Sequence, residues 1–199
     1  MATLDVLTFA EAQAALGGQA TATPQLLESH VTAVSRRLDY EYGPIVTRTI
    51  TDEAHHGGGW IIQLDNPPVS VVTTVTEYAS TTAYSLTTES NTEKTTTQFA
   101  ADLSNGILRR RSSNCDARWA TGRKNIVVTY SAGRYASTSA VVEDFKRGAA
   151  IILRHLYTTD HGSGGELFGG EGFPAGFAIP NRAFEVIGFP RRRKLPLVG

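Results

Sequence analysis

The stretch NIVVTYSAGRYASTSAVVEDFKRGAAIILRHLY, residues 125–157, contains the clearest signals of regular structure in the chain. Residues 126–130 are apolar or β-branched, as is typical of a β-strand. Gly133 follows where the chain must turn, and glycine accepts the positive φ that many turns require. From residue 142 to residue 157 the apolar side chains recur at helical spacing. The stretch therefore predicts a strand, a turn at Gly133 and a helix that completes a core.

The helix predicted over residues 142–157 is amphipathic. Its apolar stripe consists of Phe145, Ala149, Ile152 and Leu156. Glu143 and Asp144 lie in its first turn, where negative charge interacts favourably with the helix dipole. These features favour a helix with one buried face.

The turn around Gly133 poses a choice, because many enzymes hold a nucleophile where a strand turns into a helix. Ser131 is the candidate nucleophile, yet the sequence offers it no recognisable base or orienting acid. We therefore predict a structural joint at Gly133, with Tyr130 before it and Phe145 after it.

Two further helices are predicted before the strands. Thr8 and Glu11 are spaced as a capping box, which predicts a short helix over residues 8–16. The pair Thr23-Pro24 supplies an N-cap and a proline in the first turn, which predicts a helix over residues 24–42. One face of this second helix carries Leu27, Val31, Val34 and Leu38. We expect this face to pack against Phe145 and Ile152.

Residues 45–133 are predicted to form a large inserted region of antiparallel β-structure. Strands are expected at residues 60–64, 69–78, 106–110 and 126–130, with a weaker one around Tyr84 and Leu86. The Thr/Ser/Asn-rich residues 87–97 are expected to form an exposed loop. No role can be assigned to the surrounding region, residues 80–104.

Residues 158–199 are expected to be a flexible glycine-rich linker and a basic C-terminal tail, because GSGGELFGGEGFPAG offers little to bury. Within them AFEVIGF, residues 183–189, can add one short helix. The sequence thus predicts an α+β fold with a single domain over residues 1–157. In that domain a bundle of three to four helices carries the β insertion, and the core ends near Tyr157. An extended tail follows.

Length and composition fit one domain with a substantial core, since the chain has 199 residues of which 41% are hydrophobic. Cys115 is the single cysteine, so no internal disulfide can form and a reducing compartment fits. The opening MATLDVLTF has no basic residues and no long apolar run, so we expect no signal peptide. No segment has the roughly 20 apolar residues of a membrane span.

The net charge is zero, but the charges are unevenly distributed. Residues 1–100 carry 11 acidic and 4 basic residues, whereas residues 101–199 carry 8 acidic and 15 basic residues. Such asymmetry can steer association with an acidic partner or between copies of the chain. The alternative is that the charges are simply solvated in both halves.

Residues 56–59 read HGGG, a pattern that supplies oxyanion donors in some esterases. That reaction also needs a nucleophile elbow, G-x-S-x-G, and the sequence contains none. A glycine-rich turn at His56 is therefore the favoured interpretation.

Other reactive residue types occur without the spacing that their chemistry needs. They are His155, Asp160 and His161, the single Cys115, and Gly122-Arg123-Lys124. The first three match no standard metal site, Cys115 has arginines nearby but no defined base, and the last lacks the glycines of a phosphate loop. We predict no catalytic residue, no metal and no cofactor.

The order of these signals resembles the head–tail connector (adaptor or head-completion) proteins of long-tailed bacteriophages. VVTYSAG, residues 127–133, followed by VVEDFKRGA, residues 141–149, is the most specific part of the resemblance. Further matches lie at residues 38–43, 64–72, 84–86 and 119–122, so the resemblance covers residues 4–157. Val142 is a small departure, since many members of the family carry a proline there.

The resemblance implies a structural virion protein and no catalysed reaction. Members of the family form a ring of twelve copies beneath the portal, extend the DNA channel and give tail-side neck or stopper proteins a platform. The implied partners are the portal, the neck or stopper protein and further copies of the chain. Packaged DNA would pass without sequence-specific contact, and no membrane is involved. The implied location is the neck of the virion, and the host cytoplasm during assembly.

The tail is a candidate for partner binding, because C-terminal segments of the family reach toward the portal. The residues expected to bind the portal or a ring neighbour are Phe184, Phe189, Arg191, Arg192, Arg193, Lys194, Leu195 and Leu197. Arginine forks would pair with carboxylates, and the apolar side chains would provide an anchor.

Two other classes of function stay open from the residues alone. A nucleic-acid-binding protein could use residues 109–111 and 191–194 against phosphates, although the net charge is zero and no aromatic residues are interleaved with these runs. A small hydrolase could use the HGGG stretch at His56.

Overall fold

The computed structural model describes residues 4–17, 23–90, 95–161 and 179–188. The fold is α+β, and the chain divides into two compact units. One, which we call the helical unit, comprises residues 1–46 and 135–199, and the other, the β unit, comprises residues 47–134. The β unit is thus inserted between two halves of the helical unit.

The helical unit contains four helices in its described residues. They are α1 (Phe9–Ala15), α2 (Pro24–Tyr42), α3 (Glu143–His161) and α4 (Asn181–Ile187), with a 3-10 turn at Thr138–Ala140 before α3. The capping box is formed: the Glu11 amide donates to the Thr8 hydroxyl at 3.3 Å, and the Thr8 amide donates to the Glu11 carboxylate at 2.7 Å. α2 begins at Pro24 and ends before Gly43, which has a φ of 80°. None of the helices in the described ranges is long and apolar enough to cross a membrane.

The core of the helical unit forms between α2 and α3. Phe145 and Ile152 share one buried cluster with Val31, Val34 and Leu38, which confirms the helix faces that the sequence predicted. The Phe145 ring meets the Tyr42 ring edge to face, with centroids 5.4 Å apart. This arrangement is favourable for aromatic rings beyond the area that they bury.

The core extends beyond Tyr157, where the sequence predicted its end. α3 continues to His161, and a hydrogen-bond contact of 3.0 Å joins the carboxylate of Asp160 in its last turn to Nε2 of the buried His30 of α2. The short helix expected in AFEVIGF exists as α4, and its Ala183 and Ile187 are fully buried in the same core. Residues 162–178 and 189–199 lie outside the described part of the chain, so the predicted linker and end of the tail stay predictions.

In its described residues the β unit contains eight strands. They are β1 (Arg48–His55), β2 (Ile61–Gln63), β3 (Val69–Ala79), β4 (Thr82–Thr88), β5 (Gln98–Asp102), β6 (Ile107–Ser112), β7 (Cys115–Asp116) and β8 (Ile126–Ala132). They pair in the order β1-β8-β3-β4-β5-β6-β2, with β7 beside β6. All pairs are antiparallel except β4 and β5, which are parallel. The region 80–104 therefore contains two strands. Of the exposed loop predicted over residues 87–97, residues 87 and 88 belong to β4, and residues 91–94 lie outside the described part of the chain.

β8 is the central strand of one half of the sheet, where it pairs with both β1 and β3. Its side chains alternate strictly between buried and half-buried positions. The buried ones, together with Trp119 and Leu108, form a cluster separate from that of the helices. Each unit thus has its own hydrophobic core.

Candidate functional site

Gly133, the predicted joint, ends β8 where the chain leaves the β unit. Its φ is 149°, a conformation that side chains disfavour, and a Cβ at this position would lie 2.4 Å from the Thr47 Cα. Its amide donates to the Pro68 carbonyl at 2.9 Å. Beyond it, Tyr135 pairs with Val46 in an isolated parallel bridge. Within the β unit, the close approach of Thr47 therefore leaves space only for glycine at position 133.

Ser131 is the next-to-last residue of β8, which lies between β1 and β3. Thr49 of β1 and Val71 of β3 are its cross-strand neighbours, and its carbonyl accepts a hydrogen bond from the Ser70 hydroxyl at 3.0 Å. Neither cross-strand neighbour can act as a general base. This geometry favours the joint over the active site.

Tyr130 belongs to a half-buried polar network with Glu53. The Tyr130 hydroxyl donates to Glu53 Oε2 at 2.6 Å, and the Asp65 amide donates to Oε1 at 3.0 Å. His55 Nε2 lies 2.7 Å from Oε1, and Asn66 Nδ2 donates to Oε2 at 3.3 Å. The network links β1, β8 and the loop before β3 through one carboxylate.

The ionisation of Glu53 is dominated by these donors. Burial by itself opposes the charged form, but the hydrogen bonds from His55, Tyr130 and the Asp65 amide lower the pKa of Glu53 to about 2. Burial, followed by the neighbouring Glu53 carboxylate, raises the pKa of Tyr130 above its ordinary value. The charged carboxylate and the neutral phenol are thus the stable pair.

The Glu53→Gln variant is expected to destabilise the β unit by about 1–3 kcal/mol at neutral pH, because an amide cannot accept all of these bonds. The pKa of Glu53 is lower in the folded chain than its ordinary value of 4.5. Its contribution is therefore complete above pH 4.5 and is lost as the pH falls toward 2. The two stability curves should converge over that range.

Urea unfolding followed by tryptophan fluorescence measures this effect, since both tryptophans, Trp60 and Trp119, belong to the β unit. Glu185→Gln, an exposed change on α4, is the control and should leave the curve unchanged. A constant gap between parent and Glu53→Gln from pH 7 to pH 2 would contradict the assigned role of the carboxylate.

Phe184 is the one member of the predicted partner-binding set that lies within the described residues. Its ring is half-buried against the core of the helical unit, with its centroid 6.3 Å from that of Tyr42. It therefore packs within its own unit, and a role for it in partner binding stays a prediction. Phe189, Arg191, Arg192, Arg193, Lys194, Leu195 and Leu197 lie outside the described residues.

α4 docks on α3 at a glycine. A Cβ on Gly148 would lie 2.4 Å from Cγ1 of Ile187 and 3.1 Å from the Ala183 carbonyl oxygen. Both Ile187 and Ala183 are fully buried. The absence of a side chain at Gly148 is thus what lets the two helices approach so closely.

Gly148→Ala is expected to displace α4 while α2 and α3 stay packed. Alanine favours the helical state of α3 by about 1 kcal/mol over glycine, but the clash with Ile187 opposes the docking by about 1–3 kcal/mol. Hydrogen exchange should therefore accelerate in residues 181–187 and change little in α3.

The double variant Gly148→Ala with Ile187→Ala is the control, since it removes the clashing side chain. Its loss of protection from hydrogen exchange in residues 181–187 should be smaller than the sum of the losses in the two single variants. Equal exchange of α4 in the parent and in Gly148→Ala would show that the contact does not hold the helix.

The arginine run at residues 109–111 is engaged within the β unit. Arg110 is buried, and its Nε donates to Glu77 Oε2 at 3.0 Å. Arg111 donates to Glu89 Oε2 at 3.1 Å and also pairs with Asp116. Only Arg109 of this run is exposed without a described hydrogen bond, so the run does not form a strip of guanidinium groups available to phosphates.

The HGGG turn uses its donors internally. The Gly57 amide donates to the Gly122 carbonyl at 3.0 Å, and the Gly58 amide donates to the Trp119 carbonyl at 3.1 Å. His56 Nδ1 accepts a hydrogen bond from the Lys124 amide at 3.0 Å. These glycines form a turn packed against residues 119–125, which leaves no pair of amides for an oxyanion.

No metal site is formed within the ranges that the structure describes, since they contain no group of three or more His, Cys, Asp or Glu side chains arranged around a common point. Asp160, a candidate ligand by residue type, contacts His30. Cys115 is exposed at the start of β7.

The fold has counterparts among solved structures of virus-like particles. A chain of the neck of an empty gene transfer agent (GTA) particle, computed with C6 symmetry, superposes with a TM-score of 0.56 and 17% identity. The match covers 96% of this chain and 92% of that one. A chain of the virion of a native GTA particle superposes with a TM-score of 0.53 and 18% identity, with the same two coverages.

The likeness establishes the fold. No protein-family model matches the chain. No curated protein matches it either.

Proposed function

We propose that this chain is a structural protein of the neck of a phage-like particle, where it acts as a head–tail connector. The observation that supports this most is the extent of the fold likeness, which covers 96% of the chain and 92% of a chain from a GTA neck. A match of that extent includes the helical unit and the β insertion together. The sequence resemblance and the fold favour the same role.

In this role the chain forms a ring beneath the portal that continues the DNA channel and supports a tail-side neck or stopper protein. Twelve copies are the expected number, which is compatible with the C6 symmetry of the neck that contains the similar chain. Neighbours in such a ring meet through two different patches. The acidic first half and the basic second half of the sequence already pair within the chain at Glu77–Arg110 and Glu89–Arg111, so charges for this contact have to come from the remaining exposed residues.

Assembly would take place in the host cytoplasm, and the mature location is the virion neck. Packaged DNA would pass through the channel without sequence-specific contact. The alternative of a nucleic-acid-binding protein is weakened because Arg110 and Arg111 pair with carboxylates of the β unit. The hydrolase alternative is weakened because the amides of Gly57 and Gly58 donate to backbone carbonyls.

The test is to image particles assembled with the chain carrying an internal affinity tag at the exposed turn Ser80-Thr81. Gold label at the neck between head and tail is the expected result, together with rings in averaged images of that region. Label distributed over the capsid, or absent from finished particles, would refute the proposal.

The tail end is proposed to attach the ring to the portal, and deletion of residues 189–199 tests this. The shortened chain is expected to fold, because the buried residues of α4 end at Ile187, and to fail to join DNA-filled heads. A second variant with residues 191–194 changed to Gln separates the charges from the apolar anchor at Leu195 and Leu197. Infectious particles that contain the shortened chain would show that the tail is dispensable.

A further inference from the structure

The segment before α1 joins two parts of the helical unit. Val6 is fully buried in the core, and its amide donates to the Ser35 hydroxyl of α2 at 3.0 Å. The Asp5 carbonyl accepts a hydrogen bond from the Thr138 hydroxyl of the 3-10 turn at 2.6 Å. We call residues 5–7 the N-terminal strap. Its docking connects α2 to the turn that leads into α3.

The N-terminal strap carries a carboxylate into the core, since Asp5 is 3% exposed. Its Oδ2 accepts a hydrogen bond from the Thr32 hydroxyl at 3.1 Å. The Ser35 hydroxyl also lies within reach, but its single proton is donated to the Val31 carbonyl at 2.8 Å. Thr32 is therefore the one committed donor to the carboxylate among the described residues. A carboxylate can accept about four hydrogen bonds, so its charge is poorly compensated here.

The charges around Asp5 do not make up for this shortage. Burial raises the pKa of Asp5 above its ordinary value of 3.8, and the hydrogen bond from Thr32 only partly opposes that effect. The positive charges of the N-terminal amine and Arg36 act in the same direction as Thr32, with smaller effects. The 3-10 turn Thr138–Ala140 contains no ionisable side chain. The ionised carboxylate is thus the less favourable form in the docked strap.

We propose that the N-terminal strap is a pH-sensitive latch, which docks firmly when Asp5 is protonated and opens more readily when Asp5 is ionised. An acid that holds its proton more tightly in the docked state favours docking below its ordinary pKa of 3.8. This contribution is lost as the pH rises through the higher pKa of the docked state. The latch is a property of the chain by itself and does not depend on the connector role.

Glu11, the next acid along the chain, has the opposite dependence on pH. Although its burial opposes ionisation, the hydrogen bonds from Lys146 and Thr8 lower its pKa below the ordinary 4.5. Its contribution to stability is therefore complete above pH 4.5 and is lost as the pH falls below it. The effect of Asp5 has to be isolated by comparing the parent with an Asp5 variant at each pH.

The test is the protection of the Val6 amide from hydrogen exchange, measured by NMR on the full-length chain at pH 3.5 and pH 7.5. Asp5→Asn keeps the shape of the side chain but cannot ionise. At pH 7.5 its protection should exceed that of the parent at least about threefold, and at pH 3.5 the two should agree within about twofold. Asp144→Asn, an exposed change in the first turn of α3, is the matched control and should leave Val6 unchanged.

Thr32→Val tests the donor. It should lower the protection of Val6 at pH 7.5 at least about threefold and change it less at pH 3.5, because a donor matters most to the ionised carboxylate. Leu38, in the interior of α2, reports opening of the whole unit. In the parent at pH 7.5 the Val6 amide should be at least about tenfold less protected than the Leu38 amide, since the strap opens while α2 stays folded.

Three results would overturn the proposal. Lower protection of Val6 in Asp5→Asn than in the parent at pH 7.5 would make the carboxylate an anchor of the strap. A ratio of the two protections that stays constant from pH 3.5 to pH 7.5 would show that docking does not alter the ionisation of Asp5. Equal protection of Val6 and Leu38 in the parent would show that the strap opens only when the whole unit unfolds.

Discussion

Replacing Gly133 with Val should destabilise the β unit by at least about 3 kcal/mol, because two costs add at this position. A side chain would force φ away from 149°, and its Cβ would lie 2.4 Å from Cα and 2.5 Å from N of Thr47. Neither strand can move aside easily, since β1 and β8 are paired up to Arg48 and Ala132. Tryptophan fluorescence should report unfolding at a much lower urea concentration than in the parent.

Gly58→Val is a matched control for Gly133→Val, because Gly58 also belongs to the β unit. Gly58 has a positive φ as well, +89°, but a Cβ there would meet nothing nearer than the Thr121 Oγ1 at 3.6 Å. It therefore carries the backbone strain without the clash and should cost only about 1–3 kcal/mol. Ser131→Ala, which keeps the strand, should be nearly silent. Equal losses in the two glycine variants would show that the close approach to Thr47 is not what requires glycine.

The helical unit was largely predictable because its signals are local. Pro24 and Gly43 mark the ends of α2, and the spacing of Val31, Val34 and Leu38 identifies its buried face. The same holds for α3, because its apolar stripe predicted correctly that it packs against α2. Its last turn was missed, since the contact between Asp160 and His30 joins residues far apart in the sequence.

β1 was not recognised because a bulge disrupts its alternation. Asp52 has a φ of 54°, and the register with β8 shifts between Ile50 and Glu53. The shift turns Glu53 inward toward Tyr130, so a charged residue occupies a position where a regular strand would place an apolar one. In the sequence RTITDEAH an acidic residue suggests a solvent-exposed position. Only the tertiary fold brings the hydrogen-bond donors of Tyr130 and Asp65 to the Glu53 carboxylate.

The arginine run at residues 109–111 was misleading for a similar reason. A run of three charges suggests a solvated patch, yet a strand points alternate side chains to opposite faces. Arg110 therefore faces inward, where Glu77 and the carbonyls of Thr96 and Gln98 accept its hydrogen bonds. The period of the strand, and not the composition of the run, determines which charges are free.

The sequence does contain a signal for the docking of α4, namely the glycine at position 148, but an analysis of apolar periodicity ignores it. Glycine within an amphipathic helix lowers helix propensity, so its presence at Gly148 is a reason to expect close approach of another element. Ile187 is that element's contact. The partner could not be identified from the sequence, because many apolar residues follow α3 and only the fold selects one.

Phe145→Ala should cost the helical unit about 3–5 kcal/mol, the range for removal of a fully buried aromatic side chain. Phe145 is 0% exposed, and its ring has edge contacts with Tyr42 at 5.4 Å and Tyr135 at 6.1 Å between centroids. Side chains of α2, α3 and α4 all belong to this one core. A shift of one helix would therefore not fill the cavity that the missing ring leaves.

Circular dichroism at 222 nm follows this loss, since the described helices all belong to the helical unit. Val142→Ala, at a position 39% exposed just before α3, is the matched control and should change the midpoint little. Phe145→Leu should fall between them, because it keeps part of the volume but not the edge contacts. If Phe145→Ala unfolded at the same urea concentration as Val142→Ala, the α2–α3 interface would not be the core of the unit. The buried stripe inferred from residues 142–157 would then have to be reassigned.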